Sequence, residues 1–119
     1  MAKQIILYNL KDSVTEEDYI KWCESFKGPF LLSLEGAKGF TLVKMMGGLK
    51  GDGQKGIAPE PTASPYKYIG IYDLNSMEDM AKARQNEEFR EKFFSRWYSD
   101  WVADFYTLGG DEIYHGEND

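Results

Sequence analysis

Cysteine and histidine are almost absent from this chain of 119 residues. Cys23 is the single cysteine, so an internal disulfide framework is excluded and a reducing cytoplasm is the expected location. His115 is the single histidine, and one His with one Cys cannot supply the usual ligands of a transition-metal site. We therefore expect neither a bound metal nor a cofactor, and Cys23, on an apolar helix face, is interpreted as a core residue.

Basic residues are outnumbered, with 14 Lys and Arg against 20 Asp and Glu and a net charge of −6. Nucleic acids and anionic membrane surfaces need clustered Lys and Arg, so neither is an expected partner. Long apolar runs are also missing, which predicts no transmembrane helix. A strand pattern that begins at Lys3 leaves no room for a signal peptide.

Aromatic residues, in contrast, are abundant at 15%, within an apolar share of 42%. These values are typical of a folded protein, and the length favours a single domain over residues 1–119. A domain of this size has a small core, so self-association would add useful burial.

The segment Tyr66–Leu74 has the composition of a strand covered on both sides. Alternation places Ile69 and Ile71 on one face and Tyr68, Gly70 and Tyr72 on the other. The tyrosine face carries polar hydroxyl groups and a gap at the glycine. We interpret that face as the wall of a cavity.

Other segments predict the remaining elements. Lys3–Leu10 is a strand with Ile5 and Leu7 opposite Ile6 and Tyr8. Thr15 caps a helix that ends at Gly28-Pro29, and Gly39–Met46 is a second strand. The helix has one aromatic face, made by Tyr19, Trp22, Cys23 and Phe26.

A long irregular segment, Gly47–Pro65, follows, which is either a lid or a flexible loop. Its G-x-G-x-x-G match at 51–56 is not a dinucleotide site, because Pro59 and Pro61 forbid the helix that such a site needs. Ser76 caps a short helix and Asn86 caps a long one, predicted to run from Phe89 to Leu108. Glu112–His115 is predicted as a short fourth strand.

The predicted order is β-α-β-β-α-β, an α+β, ferredoxin-like antiparallel sheet with helices on one face and the first and third strands in the centre. We expect the helices to leave the tyrosine face, with Ile6 and Tyr8, uncovered. A partner subunit should then cover it, and a two-fold homodimer is the commonest arrangement.

The strand Tyr66–Leu74, the segment Lys11–Tyr19 and the Asn-Glu-Glu-Phe opening of the long helix together resemble the dimeric α+β barrel superfamily. Within it the chain is most similar to the REDY-like, HapK-type proteins of pigment clusters. The resemblance covers nearly the whole chain. It implies a dimeric α/β barrel in which two sheets meet back to back, with a ligand cavity either between each sheet and its own helices or inside the barrel.

The resemblance also places the catalytic positions of the superfamily's polyketide cyclases on this chain. The histidines of those cyclases fall on Gln4, Tyr68 and Phe89, and the helical tyrosine falls near Ala83. At all four positions this chain has a different residue type from the cyclases. At two pocket positions on the first helix, where the cyclases have aromatic residues, this chain also has aromatic residues, Trp22 and Phe26.

The sequence leaves catalytic residues undefined, with Tyr68, Tyr72 and His115 as candidates for proton transfer. The tyrosines could instead pack at a dimer interface or bind a ligand, and His115 could be an exposed residue. Trp97 and Trp101 are core residues or the floor of a pocket. The expected ligand-binding residues are Ile6, Tyr8, Trp22, Phe26, Tyr68 and Tyr72.

Three functions are consistent with this pattern. The first is a homodimer that holds an apolar, aromatic or polyketide-like molecule and catalyses a cofactor-independent cyclisation, condensation or proton transfer. The second is a non-catalytic binding or stress-response dimer. The third is a cofactor-free monooxygenase.

Overall fold

The computed structural model describes residues 1–118. In chain order its strands are β1 (Ala2–Leu10), β2 (Ala37–Lys44), β3 (Gly48–Lys50), β4 (Glu60–Thr62), β5 (Tyr68–Leu74) and β6 (Val102–Asp111). Four of them form an antiparallel sheet in the order β2-β5-β1-β6. The ferredoxin-like α+β prediction is therefore confirmed, with β1 and β5 in the centre of the sheet.

Two helical arms cover one face of this sheet. The first contains α1 (Glu16–Trp22), a π-helical turn (Cys23–Lys27) and α2 (Gly28–Ser33). The second contains α3 (Met77–Gln85) and residues 87–101, which include π-helical segments at Phe89–Phe94 and Trp97–Trp101. We call residues 87–101 the aromatic helix.

The three predicted helix caps are confirmed by hydrogen bonds to the first turns. Thr15 Oγ1 accepts from Asp18 N at 3.1 Å, Ser76 Oγ accepts from Asp79 N at 3.2 Å, and Asn86 Oδ1 accepts from Phe89 N at 2.9 Å. The predicted end of the first helix at Gly28-Pro29 is wrong. The helical arm continues through Gly28, whose N–H donates to the Cys23 carbonyl oxygen, and through Pro29 to Ser33.

The prediction of a helix from Phe89 to Leu108 is wrong beyond Trp101. Residues 102–111 form β6, which pairs with β1 over its whole length, and the predicted strand at Glu112–His115 is not one. The spacing of four that runs from Phe89 to Trp101 continues by coincidence to Phe105. Pairing with β1 decides the conformation of this segment, and that contact is remote in sequence.

The prediction of which sheet face the helices cover is also wrong. They cover the tyrosine face, which we expected to be open. Tyr8, Tyr68 and Tyr72 lie beneath the chain's own helices and are at most 4% exposed. The gap at Gly70 is filled by Phe40, whose ring lies 3.5 Å from the point where a Cβ would stand. The opposite face has no helix over it among residues 1–118, and it carries Ile5, Leu7, Val43, Ile69, Ile71, Tyr106 and Leu108.

Part of the segment predicted as an irregular loop is ordered. Strands β3 and β4 pair as an antiparallel hairpin between Gly48 and Thr62. Asp52 Oδ1 accepts a hydrogen bond from Gln54 N at 3.0 Å at the start of a short 3₁₀ turn, and Gly56 ends that turn with φ of 65°. The left-handed conformation favours glycine at this position.

Within residues 1–118, none of the helices combines the length and the apolar character that crossing a membrane requires.

Candidate functional site

A cavity of about 340 Å³ lies between the sheet and the aromatic helix. Six of its lining residues are apolar or aromatic: Ile6, Phe89, Phe93, Phe94, Trp97 and Phe105. Four are polar: Gln4, Arg84, Arg90 and Thr107. An apolar enclosure with a few polar groups is typical of sites that bind small organic molecules.

The walls follow from two simple periodicities. Alternation along β1 and β6 turns Gln4, Ile6, Phe105 and Thr107 toward the helices, and Ile6 pairs directly with Thr107. Steps of four along the aromatic helix place Phe89, Phe93 and Trp97 on the side that faces the sheet. The row from the sheet and the aromatic row from the helix therefore enclose a space without residues from the β3–β4 hairpin.

Gln4 is the buried polar residue of the cavity. Its side chain is only 7% exposed. Among residues 1–118 its amide forms no hydrogen bond with another side chain or with the backbone, yet no buried side-chain oxygen or nitrogen is left without a partner. Both amide atoms must therefore reach open space, and the cavity is the space that Gln4 lines.

Arg84 approaches Gln4 from α3 because Gly109 has no side chain. Gly109 is the pairing partner of Gln4 on β6. A Cβ on Gly109 would stand 3.2 Å from Arg84 Nη2 and 3.0 Å from Met80 Sδ. The guanidinium thus lies over the strand beside Gln4, at the same end of the cavity.

A polar cluster lies behind the cavity, on the other side of Trp97. Tyr8 Oη and Tyr19 Oη are 2.7 Å apart, and Trp97 Nε1–H donates to Tyr19 Oη at 3.0 Å. Lys27 Nζ donates to Tyr19 Oη at 2.8 Å and to Tyr8 Oη at 3.3 Å. Lys27 is 1% exposed, and its Nζ lies 4.8 Å from the centre of the Phe40 ring.

Burial controls the protonation of this cluster. It lowers the pKa of Lys27 to about 8, and it raises the pKa of both Tyr8 and Tyr19 above the ordinary value of 10.0. The tyrosines are therefore neutral hydrogen-bonding groups at pH 7. The aromatic rings around Lys27 offer partial compensation for its lost hydration.

The other tyrosines predicted as site residues have protein partners. Tyr72 Oη donates to the Leu31 carbonyl oxygen at 2.5 Å, and Tyr68 Oη donates to Glu16 Oε1 at 2.7 Å. Burial raises the pKa of each phenol to about 12. Neither residue lines the cavity.

The remaining predicted site residues lie in three places. Ile6 lines the cavity. Trp22 and Phe26 belong to an aromatic stack, in which Trp22 lies 6.1 Å from Phe93 at an interplanar angle of 9°. His115 is in the exposed C-terminal segment, with Nε2 3.0 Å from Glu117 Oε1. The structure therefore does not bring Tyr68, Tyr72 and His115 together.

Several residues of the cavity and of the buried cluster were not predicted as site residues. Lys27 was not predicted because lysine is seldom fully buried. Its position on the aromatic face of the first predicted helix therefore did not mark it as a core residue. Arg84 and Arg90 carry no signal of their own in the sequence. Phe93 and Trp97 were visible in the spacing of four, but only as a core stripe.

The sequence profile of the REDY-like protein HapK family matches residues 2–113. The chain belongs to that family. No functionally curated protein sequence is significantly similar to it. Family membership agrees with the resemblance drawn from the strand and helix motifs.

Solved structures of the same fold come from plants and bacteria. HapK from Hahella chejuensis is 13% identical, with a TM-score of 0.67, and covers 100% of this chain and 99% of its own. The protein At3g17210 from Arabidopsis thaliana is 15% identical, with a TM-score of 0.71 and coverage of 98% and 100%. A dimeric ferredoxin-like protein of unknown function from Thermobifida fusca is 14% identical, with a TM-score of 0.60 and coverage of 92% and 88%.

Two of the positions to which the resemblance carries cyclase histidines, Gln4 and Phe89, line the cavity. The third, Tyr68, does not line it. Ala83, near the cyclase tyrosine position, does not line it either, although its neighbour Arg84 does.

Proposed function

We propose that this protein is a homodimeric small-molecule-binding protein whose ligand is an aromatic or similarly flat apolar molecule. The observation that carries the proposal is the cavity of about 340 Å³ between the sheet and the aromatic helix. Six apolar or aromatic residues line it, and Gln4 offers it a buried amide. A cytoplasmic location is part of this proposal.

The uncovered face of the sheet supports self-association. Ile5, Leu7 and Ile71 form its apolar centre, and Tyr106 and Leu108 on the edge strand β6 are 55% and 46% exposed. An apolar sheet face of this extent is unusual on a monomer. A second copy that packs on this face would leave both cavities intact, because each cavity lies on the helical side.

The side chains of the cavity favour binding over proton transfer. The polar lining residues are an amide, a hydroxyl and two guanidinium groups, none of which is a proton acceptor of the kind used in general-base catalysis. No lining residue of the described chain is thus a base. A cyclisation or condensation in this cavity would be limited to a substrate that loses its proton without help and whose developing oxyanion is stabilised by Gln4 and Arg84.

Titration with a matched aromatic probe tests the proposal. In ¹H–¹⁵N spectra, 2-naphthamide is expected to shift the Trp97 indole resonance with saturation, because that ring lines the cavity. Thr107→Phe should remove the response by filling the space. Ser13→Phe, which adds the same ring at an exposed position in the turn before α1, should leave it unchanged.

The Thr107→Phe variant must first be shown to fold, by its melting temperature, since overpacking costs about 1–3 kcal/mol. Saturable binding that survives in a folded Thr107→Phe variant would place the ligand elsewhere. No binding to the wild type would reject the proposed function for this class of molecule.

A further inference from the structure

The two arginines of the cavity give it a charge opposite to that of the whole protein. The chain has a net charge of −6, so at long range it repels anions. Within residues 1–118, Arg84 and Arg90 form no ion pair, and neither Asp nor Glu lines the cavity. A local pair of unneutralised cations therefore borders an apolar space.

Arg84 belongs to α3 and Arg90 to the aromatic helix. The other cations of these two segments either form ion pairs or lie away from the cavity. Lys82 lies 3.8 Å from Glu78, and Lys92 lies 3.7 Å from Glu88. The guanidinium of Arg96 lies 5.7 Å from the centre of the Phe26 ring. Among residues 1–118 none of the three arginines forms an ion pair with a carboxylate, and two of them, Arg84 and Arg90, line the cavity.

The position of Arg84 is built into the strand beneath it. Gly109 leaves room for Nη2 next to Gln4, and any larger residue would meet the guanidinium or Met80 Sδ. Gln4, in turn, is more than nine-tenths buried and presents an amide without a protein partner to the same cavity. A buried polar group of this kind needs a partner in the space that it faces.

We propose that the cavity recognises an anionic aromatic acid, with its carboxylate bound by Arg84 and Arg90 beside the Gln4 amide and its ring held among the phenylalanines and Trp97. This proposal rests on the proposed function and adds the chemical class of the ligand. A planar guanidinium matches a carboxylate through two parallel N–H···O bonds. The Gln4 amide supplies a further donor beside the two arginines, which are exposed residues at the border of the cavity.

The test compares two molecules of the same shape, 2-naphthoate and 2-naphthamide, which differ in charge. Dissociation constants are measured at pH 7.5 from the Trp97 indole shift in the wild type and in the Arg84→Gln/Arg90→Gln double variant. Lys82→Gln/Lys92→Gln is the control, since it removes the same two charges from the same two helical segments without touching the cavity.

The expected result is that the wild type binds naphthoate at least tenfold more tightly than naphthamide. The double arginine variant should lose that preference while it keeps its affinity for naphthamide, and the lysine control should behave as the wild type. Since a tenfold preference corresponds to about 1.4 kcal/mol, one charge-assisted contact is enough to produce it.

Two results overturn the proposal and leave the proposed function standing. They are equal affinities for the two probes in the wild type, and a preference for naphthoate that the lysine control loses as fully as the arginine variant. Failure of both probes to bind instead rejects the proposed function itself.

Discussion

Lys27 Nζ lies 2.8 Å from Tyr19 Oη in a part of the core where both side chains are at most 1% exposed. Three rings surround the amine in addition to Tyr19: Tyr8, Phe40 and Trp97. No carboxylate of the described chain bonds to it. The protein therefore keeps a lysine where its charged form is disfavoured.

This arrangement predicts a stability that rises with pH in the alkaline range. Burial lowers the pKa of Lys27 from 10.5 to about 8, so between these values the unfolded state binds more protons than the folded state. Lys27 by itself should add about 2 kcal/mol to the free energy of unfolding between pH 7.5 and pH 9.5. The buried Cys23 thiol, whose pKa burial raises, offsets part of this gain. Above pH 10 the trend reverses, because the buried tyrosines have raised pKa values and ionise only on unfolding.

Urea denaturation of the wild type and of Lys27→Met measures this effect. The variant keeps the apolar stem, Cys23 and the tyrosines but has no titrating amine. The wild type should therefore gain about 2 kcal/mol of stability relative to the variant between the two pH values. Parallel pH dependences of the two proteins would show that Lys27 is not the source.

A second prediction concerns Tyr19, whose hydroxyl oxygen joins Tyr8, Lys27 and Trp97. Tyr19→Phe removes the oxygen that all three groups share. The Trp97 indole N–H then has no hydrogen-bond partner, and Tyr8 and Lys27 each lose one hydrogen bond. Unsatisfied buried donors cost about 1–3 kcal/mol, and we expect a destabilisation of at least that size. Equilibrium unfolding in urea checks it, with Tyr98→Phe, on an exposed tyrosine, as the matched control.

A loss of less than 0.5 kcal/mol in Tyr19→Phe, comparable with ordinary surface substitutions, would contradict the hydrogen-bond cluster.

The third prediction concerns the open sheet face. Ile71→Lys places a charge in the centre of the proposed dimer contact, and the dimer should dissociate more than a hundredfold more readily because a buried unpaired charge costs several kcal/mol. Leu32→Lys adds the same charge to an exposed helical position, 51% accessible, and should leave the dimer unchanged. Sedimentation equilibrium measures both.

A wild type that sediments as a monomer at high micromolar concentration would reject the dimer. An Ile71→Lys variant as dimeric as the wild type would reject this face as the contact.

The fourth prediction uses Gly109. In Gly109→Ala the new methyl group would stand 3.0 Å from Met80 Sδ and 3.2 Å from Arg84 Nη2, so both side chains must shift to make room for it. Naphthoate affinity should fall several-fold and naphthamide affinity should change little. Gly110→Ala, where a Cβ would have no neighbour within 4 Å, is the control. Equal losses for the two probes in Gly109→Ala would indicate a general disturbance of the cavity and not a displaced arginine.

The sequence predicts the fold better than it predicts the site. Local signals located the Thr15, Ser76 and Asn86 caps, and alternation in β1 and β5 identified the two central strands. The same alternation showed two apolar faces but could not say which one the helices cover. That choice depends on contacts such as Tyr72 to Leu31 and Tyr8 to Tyr19, which join distant segments.

The cavity could not be predicted from local patterns for the same reason. Two of its ten lining residues, Phe105 and Thr107, come from β6, a segment that the spacing of four predicts as helix. Its arginines come from two helical segments that meet only in the folded chain. Gln4 was recognisable through the cyclase resemblance alone. The buried Lys27 contradicts the usual preference of its residue type, so composition and periodicity gave no warning of it.

The most direct test of the cavity as a ligand site is the position of the bound probe. Intermolecular nuclear Overhauser effects between 2-naphthamide and the protein methyl groups report that position. We predict contacts from the ring protons to the methyl groups of Ile6 and Thr107, which lie side by side on β1 and β6. Contacts to Ile69 and Ile71 instead would place the ligand on the open face of the sheet and contradict the account.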